Sequence, residues 1–385
     1  MANTQAISEL LKRATDAGDV PGVVVAAATA EGPIFEGGFG VRDTGSGAAM
    51  TADTVVWIAS MTKAVTGACA MQLVEQGRLS LDGPIAAVLP ELGTVQVLEG
   101  FAADGAPRLR PAKRPITLRH LLTHTSGFVY EIWNAEMGRY LEKTGTPGVI
   151  SCKNAALSLP LLFDPGERWD YGIGIDWAGK AVEAVSGMRL GQYMQQNLLQ
   201  PLRMTDTGFK IGVAQRQRLS KVHNRTPDGF VVSDMELPQD PEFEMGGGGL
   251  YSTVGDYLRF TRMILNRGML DGARVLAPET VAMMSANAMG NVVCRPLKTA
   301  VPHASNDVDF IDGMQWGLSF LINPQPLETG RSAGSLAWAG LANSYYWIDP
   351  VRRVTGVYAT QVLPFFDEKA VRLFQDFETA VYRAV

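Results

Sequence analysis

The chain has 385 residues, 46% of them apolar and 19% charged, with a formal net charge of −5. That length builds one large domain or two intimate lobes, and so mild an acidity argues against nucleic acid as a partner. Cys69, Cys152 and Cys294 are too few and too scattered for a disulfide framework or a zinc site, and no apolar run reaches membrane-span length, so a cytoplasmic protein without a membrane partner is expected.

Residues 1–18 lack the apolar stretch of a signal peptide; Ala6, Ile7, Leu10, Leu11 and Ala14 instead follow a helical period. Residues 23–29 and 33–40 then read as two strands turned at Glu31-Gly32. An alanine-rich helix is expected over 64–75, ending at Gly77. Further helices are expected over 117–125, over 176–185 and over 257–265, the last behind the capping pair Thr253 and Asp256. Residues 95–115 and 210–249 read as long loops, with the basic cluster Arg108 to Arg114 solvated and broken by prolines. Residues 344–348 and 354–362 read as strands, and Asp367 caps a last helix with Ala370, Leu373, Phe374, Phe377 and Val381 on one stripe. The expected fold is therefore α+β. One sheet is built from both termini (1–55 and 325–385) and flanked by helices, beside a mostly helical lobe (56–324), in a single unit with the active site between the lobes.

Ser60-Met61-Thr62-Lys63 is the only Ser-x-x-Lys in the chain. On a helix that spacing puts a hydroxyl and an amine on one face, the arrangement that covalent acyl transfer needs. An ordinary lysine has a pKa of about 10.4, so only about one amine in 2,500 is neutral at pH 7. Lys63 must therefore be buried, or stay charged and lower the pKa of a second base. Tyr171 is the candidate second base, in Phe163-Asp-Pro-Gly-Glu-Arg-Trp-Asp-Tyr171-Gly-Ile-Gly. Before the strand at 344–348, Ala337-Trp338-Ala339-Gly340-Leu341 could lend a backbone N–H to an oxyanion hole, with the N–H of Ser60 as the second donor. Tyr130 and Trp133 could shape a substrate pocket or pack as an aromatic cluster.

In this order and spacing, Ser60-x-x-Lys63, Tyr171 and Trp338-x-Gly340 resemble the serine β-lactamase and penicillin-binding-protein superfamily. So do Ile116-Thr-Leu-Arg-His-Leu-Leu-Thr-His-Thr-Ser-Gly127, Phe163-Asp-Pro-Gly166 and Gly246-Gly-Gly-Gly-Leu-Tyr-Ser-Thr253. Over residues 20–365 the chain is most similar to family VIII carboxylesterases, which share the class C β-lactamase fold, with lovastatin-type acyltransferases in the same branch. The resemblance implies Ser60 as nucleophile, Lys63 with Tyr171 as base, and the N–H groups of Ser60 and Leu341 as the oxyanion hole. It implies Trp338 on the acyl or alcohol pocket, and no metal or cofactor. Two departures matter. Where the β-lactamases carry Tyr-x-Asn this chain has Tyr171-Gly172-Ile173, and where they carry Lys-Thr-Gly it has Trp338-Ala339-Gly340. Ile173, Trp338 and Gly340 make a more apolar substrate site, which suits a neutral ester better than a carboxylate-bearing lactam.

The reading taken is a serine carboxylesterase acting on small-molecule esters of short to medium chain length, with the 95–115 and 210–249 loops governing chain length. Its rivals are an acyltransferase, an amidase of β-lactams or D-amino acid peptides, and a non-catalytic binding protein. His120 and His124, four apart, are read as structural rather than as zinc ligands. The glycines 246–249 are read as a tight turn rather than a phosphate cradle, and an α/β-hydrolase elbow is set aside.

Overall fold

The computed structural model describes residues 4–385. The chain's most continuous small-apolar run, Gly22–Thr29, is buried along nearly its whole length, which only the middle of a covered sheet allows. It is strand β1 of an eight-stranded sheet, with β2 Pro33–Asp43, β3 Ala48–Ala49, β4 Gln315–Trp316, β5 Leu321–Ile322, β6 Leu336–Gly340, β7 Ser344–Asp349 and β8 Val354–Ala359. Across the sheet the order is β4-β5-β6-β7-β8-β1-β2-β3, with every pair antiparallel. The first and last thirds of the sequence thus meet along β1 and β8, as expected. Strands β4 and β5 carry the sheet back to residue 315, beyond the expected limit of 325; two residues each, they leave no alternating pattern to read.

Helix α1 spans Gln5–Asp16, α2 Thr62–Glu75, α3 Gly174–Ser186, α4 Val254–Leu265 and α5 Glu368–Ala384. Helices α1 and α5 pack on one sheet face, where Phe374 stacks on Tyr345 at 4.7 Å and Phe377 meets Trp347. Asp367 caps α5 by accepting from the Ala370 N–H at 3.0 Å, and all five stripe residues are buried. The other face is covered by α4 from the middle of the chain, with Tyr257 against Tyr346. Helix α2 is buried from Thr62 to Leu73, so it runs through the core instead of along the surface. Among the described residues no helix is long and apolar enough to cross a membrane, and all three cysteines are free and buried.

Several loop expectations need correction. Residues 95–115 form a β-hairpin, Gln96–Phe101 with Pro107–Pro111, in which Val97 and Leu98 are both buried; the lost alternation hid the strands. Its Arg110 is no solvated loop residue: the guanidinium grips both oxygens of the buried Asp164 carboxylate at 2.9 and 2.8 Å. Residues 210–249 hold a short helix, Val213–Arg218, and a hairpin, Val222–Thr226 with Gly229–Ser233. The strand expected over 354–362 breaks at Gln361, whose backbone adopts φ 63, and Val362–Leu363 resumes beside that hairpin.

Candidate active site

Ser60 sits in a 3-10 turn, Ala59–Met61, that runs directly into α2. Ala59 has φ 44, a left-handed conformation that costs an L-residue free energy and persists where the surroundings enforce it. The surroundings do so from three sides. Gln361 brackets the backbone of Trp57, accepting from its N–H at 2.9 Å and donating to its carbonyl at 3.0 Å. The Trp57 indole donates to Gly248 O at 2.7 Å, and the Tyr257 hydroxyl to Met61 O at 2.9 Å.

Lys63 lies one helical step on and is fully buried. Its ammonium nitrogen donates to Ser60 Oγ at 3.1 Å, to Tyr130 Oη at 3.0 Å and to Gly247 O at 2.6 Å. It also stands 4.7 Å from the centre of the Tyr171 ring. Burial drives the Lys63 amine well below its ordinary value, and the carboxylate of Asp176 opposes that shift. Burial pushes the Tyr171 phenol up, while hydrogen bonds with Ser60 and Trp338 pull it back down. Burial thus works against charge on either group, and the Asp176 carboxylate is what favours the ammonium form of Lys63.

Trp338 holds a place other than the expected one. Its indole donates to the Tyr171 hydroxyl at 2.8 Å, and it is not among the residues that line the cavity over Ser60. Gly340 backs onto the serine turn: a Cβ there would lie 2.3 Å from Ile58 O, so only glycine lets β6 run this close. That approach puts the Leu341 residue beside Ser60, and both line the same cavity. Among the described residues neither of their N–H groups is bound to a carbonyl of a turn or loop. Ile173 is fully buried in the core at the start of α3 and is not on the cavity wall.

The cavity over Ser60 has a volume of about 550 Å³. Tyr130, Trp133, Val149, Met235, Met245 and Leu341 are among its apolar walls. Tyr130 thus serves twice, as wall and, through its hydroxyl, as an acceptor for Lys63. Trp133 is fixed by its indole, which donates to Ser305 Oγ at 3.0 Å. Apart from Tyr130, the ionisable groups on the wall are Glu131 and His303, with no lysine or arginine. The segment 210–249 contributes several wall residues, and the 96–111 hairpin contributes none.

Asp176 is the residue that sequence reasoning missed. An acid in a helix's first turn has an ordinary explanation in the helix dipole, which masked its burial. The glycine run does form a tight turn, with the N–H groups of Gly248 and Gly249 both donating to Met245 O. The two histidines are built into the scaffold: His120 Nδ1 accepts from the Thr117 N–H in a capping box, and His124 packs 4.6 Å from the Tyr171 ring. One Gly-x-Ser-x-Gly does occur, Gly330-Arg331-Ser332-Ala333-Gly334. It precedes strand β6 rather than joining a strand to a helix, and the Ser332 N–H is bound to Asp349 at 2.9 Å, so it is no nucleophile elbow.

A family model described as Beta-lactamase matches residues 7–380. Monacolin J acid methylbutanoyltransferase from Aspergillus terreus is 33% identical over 396 residues, covering 96% of this chain and 94% of that protein. Lovastatin esterase from Penicillium rubens is 31% identical over 388 residues, covering 96% of each. Among solved structures, a mutant of simvastatin synthase from Aspergillus terreus superposes with a TM-score of 0.85 at 30% identity, covering 98% of this chain and 96% of that one. The chain belongs to the beta-lactamase family, within the superfamily of serine hydrolases and acyltransferases.

Proposed function

We propose that the protein is a serine carboxylesterase that cleaves neutral, short- to medium-chain esters through an acyl-enzyme on Ser60. The observation that carries this reading is the Lys63 nitrogen 3.1 Å from Ser60 Oγ and 4.7 Å from the centre of the Tyr171 ring, with Ser60 itself on the wall of an apolar cavity. Ser60 Oγ attacks the ester carbonyl and its proton passes to the Lys63/Tyr171 pair. The N–H groups of Ser60 and Leu341 hold the oxyanion, each such donor being worth roughly a hundredfold or more in rate. The pair returns the proton to the departing alkoxide, and water then repeats the cycle on the acyl-enzyme. Neutral substrates fit because the wall has no lysine or arginine to pair with a carboxylate, and Glu131, whose carboxyl is pushed up by burial, would repel one once ionised.

A second reading, acyl transfer to an alcohol, is favoured by the 33% identity to a methylbutanoyltransferase. Both readings share the acyl-enzyme and differ in its acceptor. Hydrolysis of p-nitrophenyl butyrate at pH 8, with and without added alcohol, separates them. The esterase reading expects butyrate as the main product, with Ser60→Ala slower by several orders of magnitude. Butyryl transfer to the alcohol outrunning hydrolysis would favour the transferase instead, and equal slowness of wild type and variant would overturn the esterase reading.

A further inference from the structure

Helix α3 begins with a carboxylate that the chemistry above does not use. Asp176 is 1% exposed. Its Oδ1 accepts from the Gly247 N–H at 2.8 Å, and the carbonyl of that same residue accepts from Lys63 at 2.6 Å. Its Oδ2 has no hydrogen-bond partner within 3.5 Å, although the Tyr130 hydroxyl also acts on this carboxyl. The carboxylate is pressed so close to the glycine turn that a Cβ at 247 would lie 2.5 Å from Oδ2, which accounts for glycine at that position. Lys63 is equally enclosed, and none of the ion pairs among the described residues includes it. A lone buried charge is costly, and two of opposite sign offset each other.

The other titratable groups that act on this carboxyl or its lysine are neutral in the resting site. Tyr130 and Tyr171 are phenols pushed up by burial, Cys152 is a thiol pushed up to about 12, and His124, next to Lys63, is pushed down. Burial likewise moves Asp176 up and Lys63 down, and each opposes the shift of the other. Lys63 and Asp176 are therefore the two groups in this pocket able to carry charge as a pair.

We propose that Asp176 is a positioning residue of the site: the buried counter-charge of the Lys63 ammonium, joined to it through the Gly247 peptide, which keeps the amine aimed at Ser60 and Tyr130. This rests on the roles given above to Ser60, Lys63 and Tyr171. The glycine turn is then a relay, with one face bound to the acid and the other to the lysine. The acid never touches the substrate.

The test is the pH dependence of kcat/KM on p-nitrophenyl butyrate for wild type and Asp176→Asn, together with a thermal cycle. The amide keeps an acceptor for the Gly247 N–H and removes only the charge. Losing a nearby negative charge lowers the pKa of Lys63 or Tyr171, whichever titrates. The acid limb should therefore move down by about one pH unit or more, with KM little changed. In the cycle, Asp176→Asn should lower Tm in the wild type and raise it in Lys63→Met, where the carboxylate has lost its partner. An active variant whose acid limb does not move, or a Tm that falls in both backgrounds, overturns the proposal. A wild type inert towards esters would instead count against the functional reading, and the thermal cycle would still decide the role of Asp176. Should Asp176→Asn not fold alone, the Tm of Lys63→Met against that of the double variant decides it: a rise supports the pairing and a fall overturns it.

Discussion

The Tyr171 phenol lies in a cage of rings: His124 at 4.6 Å, Trp338 at 5.0 Å, Tyr130 at 5.2 Å and Trp133 at 5.5 Å. Within it, the 2.8 Å bond from the Trp338 indole is the phenol's directional anchor. A hydrogen bond of this kind is worth about 1 kcal/mol, so Trp338→Phe should lower kcat about fivefold. KM for p-nitrophenyl butyrate should hardly change, because the indole is not on the substrate wall; a rise in KM at constant kcat would return Trp338 to the pocket. At this scale the sequence was legible where chemistry restricts residue type. Ser60 and Lys63 stand out because few pairs of side chains three residues apart can attack and accept a proton, and Tyr171 because Lys63 needs a second base nearby. Asp176 and the hydroxyl of Tyr130 did not stand out, because an acid in a first turn and an aromatic after a loop both have commoner explanations.

Among the elements, the segment 210–249 has the larger part in shaping the cavity. Its hairpin supplies Asn224 and Ser233 to the wall and the stretch after it Met235 and Met245, whereas the 96–111 hairpin supplies nothing. Chain-length preference is thus expected to depend on the first segment alone. Met235→Ala opens space on the order of two or three methylene groups, each worth about 0.8 kcal/mol when buried. The ratio of kcat/KM for p-nitrophenyl octanoate over butyrate should then rise roughly 15- to 60-fold. An unchanged ratio, or a change of that size on trimming the tip of the 96–111 hairpin, would count against this assignment. Both segments looked like loops because their strands are short, lack alternation and take their burial from neighbours distant in the chain. Helices with a cap and a clear stripe, such as α4 and α5, were legible to within a few residues.

For the whole molecule, the sheet joining both termini could be read because β1, β7 and β8 are strongly apolar and no comparable run lies between them. How the two parts meet could not. Gln361 clasps Trp57 across 304 positions of sequence, and Gly340 meets Ile58, so long-range contacts with no local pattern fix the serine turn. At that junction the end of β6 brings Leu341, the turn brings Ser60 and α2 brings Lys63 to one place, where the proposed chemistry would occur. The most direct check is intact-protein mass spectrometry after acid-quenching a reaction with p-nitrophenyl butyrate. Wild type should carry one added butyryl group, mapped to the peptide containing Ser60, and Ser60→Ala should carry none. A butyryl group on another residue, or turnover by Ser60→Ala at the wild-type rate, would contradict an acyl-enzyme at Ser60.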